Sequence, residues 1–299
     1  MDDTADPAAP PFMQDRRALR RNFERAASSF SRGDALHREI GRRMIERFEV
    51  IRLAPRRILD LGCGTGAATG GLQARFPDAK LFGLDFAAGM AGASAPPLTG
   101  WRRWWRGAPR MTAICGDMAA LPFAGGAFGL VWSNLALHWL DDPAPAIREA
   151  QRVLEPGGLF MFSTLGPDTL MELRAAFEAA GTGWHVKRFI DLHDIGDTLG
   201  SAGFGAPVID MEILTLTYAE LDGLFADLRS TGSGNAMLGR SRALTGAARM
   251  RRVRSAYEEV RRDGRLPATF EVIYGHAWKN PPRRTGSGES IVHFAPRRK

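Results

Sequence analysis

One segment constrains the fold of this chain more than any other: the run Ile-Leu-Asp-Leu-Gly-Cys-Gly-Thr-Gly from Ile58 to Gly66. Its apolar start is typical of a buried strand. The glycines at its end allow positive φ and let a ligand approach the backbone closely. The residues from Ala67 to Arg75 predict a helix, whose N-terminus would present free N–H groups. The run therefore predicts a strand, a tight turn and a helix that together hold a ligand.

Further short apolar runs alternate with helical patterns along the chain. Strands are predicted at 57–61, 80–84, 111–115, 128–133, 159–164, 207–214 and 269–277, and the last is expected to close the sheet edge. Helices are predicted at 15–29, 34–49, 67–75, 168–180, 191–202, 219–230 and 245–262. Strands that alternate with helices predict parallel βαβ units. The fold class is therefore α/β, a doubly wound, seven-stranded, mostly parallel sheet with a helical cover.

The length of 299 residues fits one elaborated α/β domain. We predict a disordered leader over residues 1–14, the domain over 15–280 and a basic disordered tail over 281–299. No apolar run approaches the roughly 20 residues of a membrane helix, and the leader lacks the features of a secretory signal. Two cysteines form neither a disulfide framework nor a metal cluster alone. These observations predict a cytoplasmic protein without a metal site.

The net charge of +7 is concentrated in clusters of arginine. Such a surplus favours an anionic partner, because surface charge steers association, although arginine on solvated faces would give the same composition. Within residues 101–110, three tryptophans alternate with arginines. This insertion could bind a membrane surface, a nucleic acid or an acidic protein, or could pack as an amphipathic turn.

The glycine spacing G-x-G-x-G, preceded by Asp60, differs from the G-x-G-x-x-G of dinucleotide loops and fits the amino-acid end of S-adenosylmethionine (SAM) better. Asp85 ends the next predicted strand, where an acidic residue can accept from ribose hydroxyls. Asp117 can accept from the adenine amino group, with Met118 against the ring. The predicted cofactor contacts are Asp60, Gly62, Cys63, Gly64, Gly66, Asp85, Phe86, Met90, Asp117, Met118 and Asn134.

The segment 133–139 follows the fourth predicted strand and should border the transferred methyl group, since ligands of open α/β sheets bind at the carboxyl ends of strands. His138 is interpreted as a histidine at the pocket edge rather than as a base. The candidates for the pocket are Phe30, Asn134, Leu135, Leu137, His138 and Trp139.

This ordered set, from Arg57 to Thr164, resembles the class I SAM-dependent methyltransferases. A closer resemblance extends over most of the chain, through Phe23–Ala27, SNLALHW at 133–139, FSTLGPDTLMELRAAF at 162–177, RFIDLHDIGD at 188–197 and LPATFEVIYGHAWK at 266–279. In these segments the chain is similar to the malonyl-acyl-carrier-protein O-methyltransferases of biotin synthesis, the BioC type.

The resemblance implies that SAM methylates the free carboxylate of a malonyl thioester on acyl carrier protein, leaving S-adenosylhomocysteine. A carboxylate with a pKa of about 4 is already ionised at neutral pH, so the reaction needs no general base. It needs alignment, a dry pocket and a group that orients the carboxylate. Arginine is the usual choice for that group, and the candidates are Arg25, Arg38, Arg174 and Arg188. The implied partner is an acidic carrier protein, without nucleic acid or membrane.

The chain departs from the family at Phe30-Ser31, where Tyr-Asp is common. Phenylalanine at position 30 cannot donate a hydroxyl hydrogen bond, although its ring could still line the site. The insertion at 101–110 is a second departure, from the shorter members.

Three other readings stay open on sequence alone. The acceptor could be another small acid or a quinone precursor. SAM-binding assembly factors of respiratory complex I, which act as protein arginine hydroxylases, share a run similar to the one after the fifth strand. A binding module without catalysis would carry the same cofactor motifs. A nucleic-acid methyltransferase is disfavoured, because the Asn/Asp-Pro-Pro-Tyr/Phe run of base methylation is missing.

Overall fold

The computed structural model describes residue 10 and residues 12–94, 111–181, 185–240 and 246–281. Its strands are β1 (Arg57–Leu61), β2 (Lys80–Asp85), β3 (Met111–Cys115), β4 (Phe128–Asn134), β5 (Leu154–Leu165), β6 (Phe204–Tyr218) and β7 (Leu266–Lys279). Its α-helices are α1 (Arg16–Ala26), α2 (Ala35–Glu46), α3 (Thr69–Arg75), α4 (Ala88–Ser94), α5 (Ala144–Val153), α6 (Met171–Ala179), α7 (Leu192–Ser201), α8 (Leu221–Ser230) and α9 (Ala247–Glu258). The Trp/Arg insertion at 101–110 and almost all of the predicted tail lie outside the described residues.

The strands form one sheet in the order β3-β2-β1-β4-β5-β7-β6. The pairs among β1 to β5 are parallel, and β7 runs antiparallel to both of its neighbours. This arrangement confirms the predicted doubly wound, mostly parallel sheet. The chain order reverses between β1 and β4, and such a switch point is where open α/β sheets bind ligands.

The expectation that the last strand closes the sheet edge is wrong. β7 lies between β5 and β6, and β6 forms the edge. The burial of the strands explains the difference. β7 is buried at nearly every position from Leu266 to Ala277, whereas the second half of β6 alternates between half-buried and exposed residues. An alternating strand suits a sheet edge with one solvated face, and a strand that is buried along most of its length suits an interior position.

β5 begins five residues earlier than predicted. Leu154 pairs with Phe128 and Leu159 pairs with Leu130, so a bulge holds the residues between. Gly157 has a φ of +79°, a conformation that suits glycine. The residues 155–158, which precede the predicted strand, are therefore an irregularity inside the observed one.

Among the described residues, the core has two large apolar clusters and a smaller third one. The third cluster joins α1 to α4 through Leu19, Phe23, Ala87 and Met90, over the carboxyl ends of the strands. It therefore places an N-terminal helix above the switch point. Within the described residues, no helix is long and apolar enough to cross a membrane.

Candidate active site

A cavity of about 310 Å³ lies at the carboxyl ends of β1, β2 and β4. Its floor is formed by residues that follow these strands, and α1 covers it through Arg16, Leu19 and Phe23. The predicted contact residues that line it are Gly62, Gly64, Asp85, Phe86, Met90, Asp117, Met118 and Asn134. Most of the predicted cofactor contacts therefore meet in one place.

The glycine loop after β1 forms part of the cavity wall. Gly62 has a φ of +72°, and a Cβ at this position would stand 2.3 Å from the Cβ of Ala136. The amide of Gly62 donates to the carbonyl of Leu84 at 2.7 Å, which ties the loop to β2. Gly64 has a φ of +52°, and a Cβ there would only touch the ring of Phe30, at 4.0 Å. Position 62 therefore requires glycine for lack of space, and both positions favour glycine because of their positive φ.

Asp85 is buried at the end of β2 and lines the cavity. Its carboxylate accepts from the amide of Gly64 at 3.0 Å and from the amide of Ala87 at 2.9 Å. Burial raises the pKa of Asp85, against the opposing effect of these two amides. A carboxylate has about four acceptor sites, so it can accept from a ligand as well.

Asp117 follows β3 and accepts from the amide of Ala119 at 2.9 Å. Its other oxygen accepts from the guanidinium of Arg16 at 2.6 Å. Burial alone would raise the pKa of Asp117, but the amide of Ala119 and the cation of Arg16 outweigh it, and the pKa is lowered. The ion pair fastens α1 over the cavity, and spacing along the sequence gives no signal for it.

Three predicted contact residues shape the loop and are not among the described residues that line the cavity. Asp60 is buried, and burial together with the charge of Asp85 raises its pKa to about 7. Cys63 packs its thiol into the core, where burial raises the pKa of the thiol. The amide of Gly66 donates to the carbonyl of Cys63 at 2.8 Å and closes the turn.

A second cavity, of about 120 Å³, adjoins the first. Gln14, His37, Leu135 and Trp139 line both cavities. The walls of the second are mostly apolar and include Leu165, Leu170, Leu173, Leu224 and Phe270. The two cavities therefore form a passage with a junction at the segment after β4.

The side chain of Asn134 lines the first cavity and makes the hydrogen bonds that hold this junction together. Its Nδ2 donates to the carbonyl of His37 at 2.8 Å, and its Oδ1 accepts from the hydroxyl of Ser163 at 2.9 Å. Leu135, with a φ of +51°, turns the chain after the strand. Asn134 thus ties α2 to the sheet and brings His37 to the cavity wall.

Aromatic rings line the junction. Phe30 is buried beside the glycine loop, and its ring centroid lies 5.0 Å from that of His37 in an edge contact. Trp139 makes an edge contact of 5.2 Å with Phe23 of α1. Of the other predicted pocket residues, His138 lines the second cavity and Leu137 packs in the core.

His138 at the junction is buried, and His37 and the nearby Lys187 are half-buried. Burial lowers the pKa of His37 to about 4. Burial, followed by the charges of Lys187 and His37, lowers the pKa of His138 well below its usual value. Lys187 lines the second cavity and donates to the carbonyl of Leu140 at 3.0 Å. Burial lowers the pKa of Lys187 to about 8, although the carboxylate of Asp141 opposes this shift.

None of the four candidate arginines is among the described residues that line the first or the second cavity. Arg25 contacts Asn22 on the surface of α1, and Arg38 pairs with Asp34 at 3.2 Å. Arg174 and Arg188 line a third cavity of about 330 Å³, which shares His185, Val186 and Phe189 with the second. Two of the four candidates thus stand at one end of the passage, while the junction itself is lined by histidines.

The roof of the passage comes from the start of the described chain and from the segment around Met237. Gln14 pairs with Met237 in an isolated bridge, and the amide of Leu238 donates to the carbonyl of Met13 at 2.8 Å. The amide of Gln14 also donates to Asp141 at 2.9 Å. Met13 and Gln14, placed by the sequence in a disordered leader, are thus part of the cavity wall.

Glu24 holds α1 in place. Its carboxylate accepts from the amides of Ala88 and Gly89, each at 2.7 Å, at the start of α4. These bonds satisfy two amides that have no partner within the helix. The contact joins α1 to the helix that follows Asp85.

Comparison with known proteins identifies the type of domain. A family model described as "Methyltransferase domain" matches residues 59–162. A solved structure of the YcgJ protein from a Bacillus species superposes with a TM-score of 0.56 at 17% identity, covering 81% of this chain and 99% of that one. A structure of a methyltransferase from Bacillus halodurans gives 0.54 at 18% identity, covering 79% and 97%. The predicted methyltransferase fold is confirmed.

Sequence relatives resemble the chain over nearly its whole length. A protein of Methylovorus sp. (strain MP688) is 47% identical over 288 residues, which cover 96% of this chain and 97% of the relative. A protein of Gallionella capsiferriformans (strain ES-2) is 46% identical over 281 residues, covering 94% and 97%. Both relatives are named malonyl-[acyl-carrier protein] O-methyltransferase.

Proposed function

Because the chain belongs to the malonyl-[acyl-carrier protein] O-methyltransferase family, we propose that it methylates the free carboxylate of a malonyl group carried on acyl carrier protein. SAM is the methyl donor in this proposal, and the product is the methyl ester used in biotin synthesis. The observation that carries the proposal is the junction of two cavities at Leu135 and Trp139. The first cavity, which carries Asp85 and Asp117, meets the second one there, as the transfer between two bound substrates requires.

The first cavity fits SAM. Asp85 retains acceptor sites for the ribose hydroxyls, and the backbone of Gly62 and Gly64 leaves room for the amino-acid end. Asp117 can accept from the adenine amino group beside Arg16. Apolar side chains available to the adenine ring and the sulfur are those of Phe86, Met90 and Met118. When bound, SAM supplies an electrophilic methyl group.

The protein's part in the transfer is alignment and exclusion of water. A lone pair of the malonyl carboxylate forms the bond from oxygen to the methyl carbon, while the bond from that carbon to sulfur breaks and its electron pair stays on sulfur. No proton moves, so the site needs no base. Two opposite charges disappear, which an apolar surrounding such as Phe30, Leu135 and Trp139 favours. Alignment alone can supply roughly 7–11 kcal/mol of the barrier.

The acidic carrier protein is proposed as the macromolecular partner, because the chain carries a net charge of +7. Docking at the Trp/Arg insertion remains a proposal, since residues 101–110 lie outside the described part of the chain. Reversing the charges of Arg102, Arg103 and Arg106 should raise the KM for malonyl carrier protein at low salt. Unchanged kinetics would exclude the insertion as the docking surface. The cytoplasm is proposed as the location, in keeping with the free thiols of Cys63 and Cys115.

A methyl-transfer assay tests the proposal directly. Radiolabelled SAM is offered with malonyl carrier protein, malonyl coenzyme A and free malonate in parallel. Base-labile label on the carrier protein, well above the other two acceptors, is the expected result. Stronger labelling of free malonate would indicate a small-acid methyltransferase. Binding of SAM without label on any acceptor would overturn the proposal and favour the hydroxylase-like assembly factor or another acceptor.

A further inference from the structure

The junction between the two cavities holds buried polar atoms without partners. The Nδ1 atoms of His37 and His138 and the Oε1 of Gln14 have no hydrogen-bond partner among the described residues. All three side chains line the second cavity, and those of Gln14 and His37 line the first as well. Buried polar groups in native proteins are paired with few exceptions. The two histidine nitrogens beside one space therefore point to a ligand group that accepts hydrogen bonds, whereas the Oε1 of Gln14 is an acceptor and would need a donor.

We propose that His37 and His138 form a subsite for the carboxylate of the malonyl group. The inference rests on the proposed function, which requires a carboxylate at the junction, and it assigns that carboxylate to side chains outside the predicted arginines. Each neutral imidazole has one N–H to donate. The two donors can bind the two oxygens of a carboxylate and still leave lone pairs free for the methyl group.

The neutral state of these donors suits the chemistry. A charged guanidinium would stabilise the carboxylate more in the ground state than in the transition state, where the charge of the carboxylate has partly disappeared. It would therefore slow the transfer. Burial holds His37 and His138 neutral, and the nearby cation of Lys187 also disfavours protonation of His138. The positive charge on the sulfur of bound SAM would also disfavour protonation of these histidines. Neutral donors can therefore orient the carboxylate oxygen without stabilising its negative charge in the ground state as strongly as a cation would.

Lys187 plays a different part. Its ammonium donates to the carbonyl of Leu140 and lies 3.9 Å from the carboxylate of Asp141. These contacts hold it in the wall of the second cavity. Its positive charge favours entry of an anionic acyl group over a neutral one, while the histidines determine where the oxygens lie.

The test uses two variants of His138. His138→Leu keeps the approximate volume and removes the donor, and His138→Gln keeps a donor. With malonyl carrier protein we expect His138→Leu to lower kcat/KM roughly ten- to one-hundred-fold, the range for losing a hydrogen bond to a charged group, and His138→Gln to recover most of it. The affinity for SAM, measured by calorimetry, should stay unchanged in both. His193→Leu, which replaces an exposed histidine of α7, is the matched control.

A binding measurement separates this subsite from the reaction itself. With S-adenosylhomocysteine present, the wild type should bind malonyl-pantetheine at least about tenfold more tightly than acetyl-pantetheine. His138→Leu should lose this preference, and His138→Gln should keep it. Equal binding of the two thioesters by the wild type, or equal behaviour of the two variants, would overturn the subsite. A preference for malonyl that depends on His138, without methyl transfer, would overturn the proposed function and leave the subsite in place.

Discussion

Asp60 gives the chain a carboxyl group whose ionisation destabilises the fold. It lies buried at the end of β1, where burial and the charge of Asp85 raise its pKa from 3.8 to about 7. In the unfolded chain the same group titrates near its ordinary value. Between these two values the folded state binds more protons than the unfolded state. Stability is therefore lost as the pH rises through this window, and the loss is complete above about pH 7.

The magnitude follows from the shift. A difference of about three pKa units corresponds to about 4 kcal/mol at 1.36 kcal/mol for each unit. Asparagine has nearly the same shape and carries no charge. We therefore expect Asp60→Asn, without cofactor, to gain stability relative to the wild type as the pH rises. The gain between pH 5 and pH 8 should be about 2–3 kcal/mol, since the unfolded group is already largely ionised at the lower pH.

Urea unfolding, followed by tryptophan fluorescence, to which the buried Trp132 contributes, measures this difference at each pH. Asp197→Asn is the matched control, since Asp197 is exposed on α7, and its stability should follow that of the wild type. If the free energies of unfolding of Asp60→Asn and the wild type differ by the same amount at every pH, the reasoning is refuted. A constant difference reports a change in packing and not in ionisation. The same variant should bind SAM more weakly, since Asp60 shapes the loop that holds it.

Other substitutions test the cofactor site. Asp85→Ala should abolish SAM binding in calorimetry, and unchanged affinity would remove the ribose assignment. Gly62→Ala should lower the Tm and the methylation rate, because its Cβ would meet Ala136 at 2.3 Å in a backbone of positive φ; Gly70→Ala, where the added Cβ meets nothing within 4 Å, should do neither. Glu24→Gln should weaken SAM binding several-fold with an unchanged circular dichroism spectrum, since one carboxylate holds α1 on α4; tighter binding would contradict this role for the contact.

The sequence predicts the parts of the site that follow strand ends. The glycine run, Asp85 and Asp117 each come directly after a short apolar run, and parallel strands bring such residues to one edge of the sheet. The pocket residue Leu135 follows from the same reasoning. These positions depend on local pattern and on the topology, both of which can be inferred from the sequence.

The rest of the site depends on contacts between distant segments. Asn134 holds the carbonyl of His37, 97 positions earlier, and Arg16 pairs with Asp117 across 101 positions. Lys187 lies in a segment without regular structure, so periodicity gives no signal for its burial. The apolar pattern of the last strand was likewise compatible with an edge or an interior position. Packing decides such cases, and one sequence does not specify it.

The bridge between Gln14 and Met237 has a consequence for the order in which the molecule is built. It joins two segments separated by most of the chain, and closing so long a loop is slow because its entropy must be lost before the contact forms. During synthesis, the strands that carry the glycine loop, Asp85 and Asp117 are complete long before Met237 leaves the ribosome. We therefore expect the nascent chain to fold its parallel strands first and to retain its ligands only after the last third has been added.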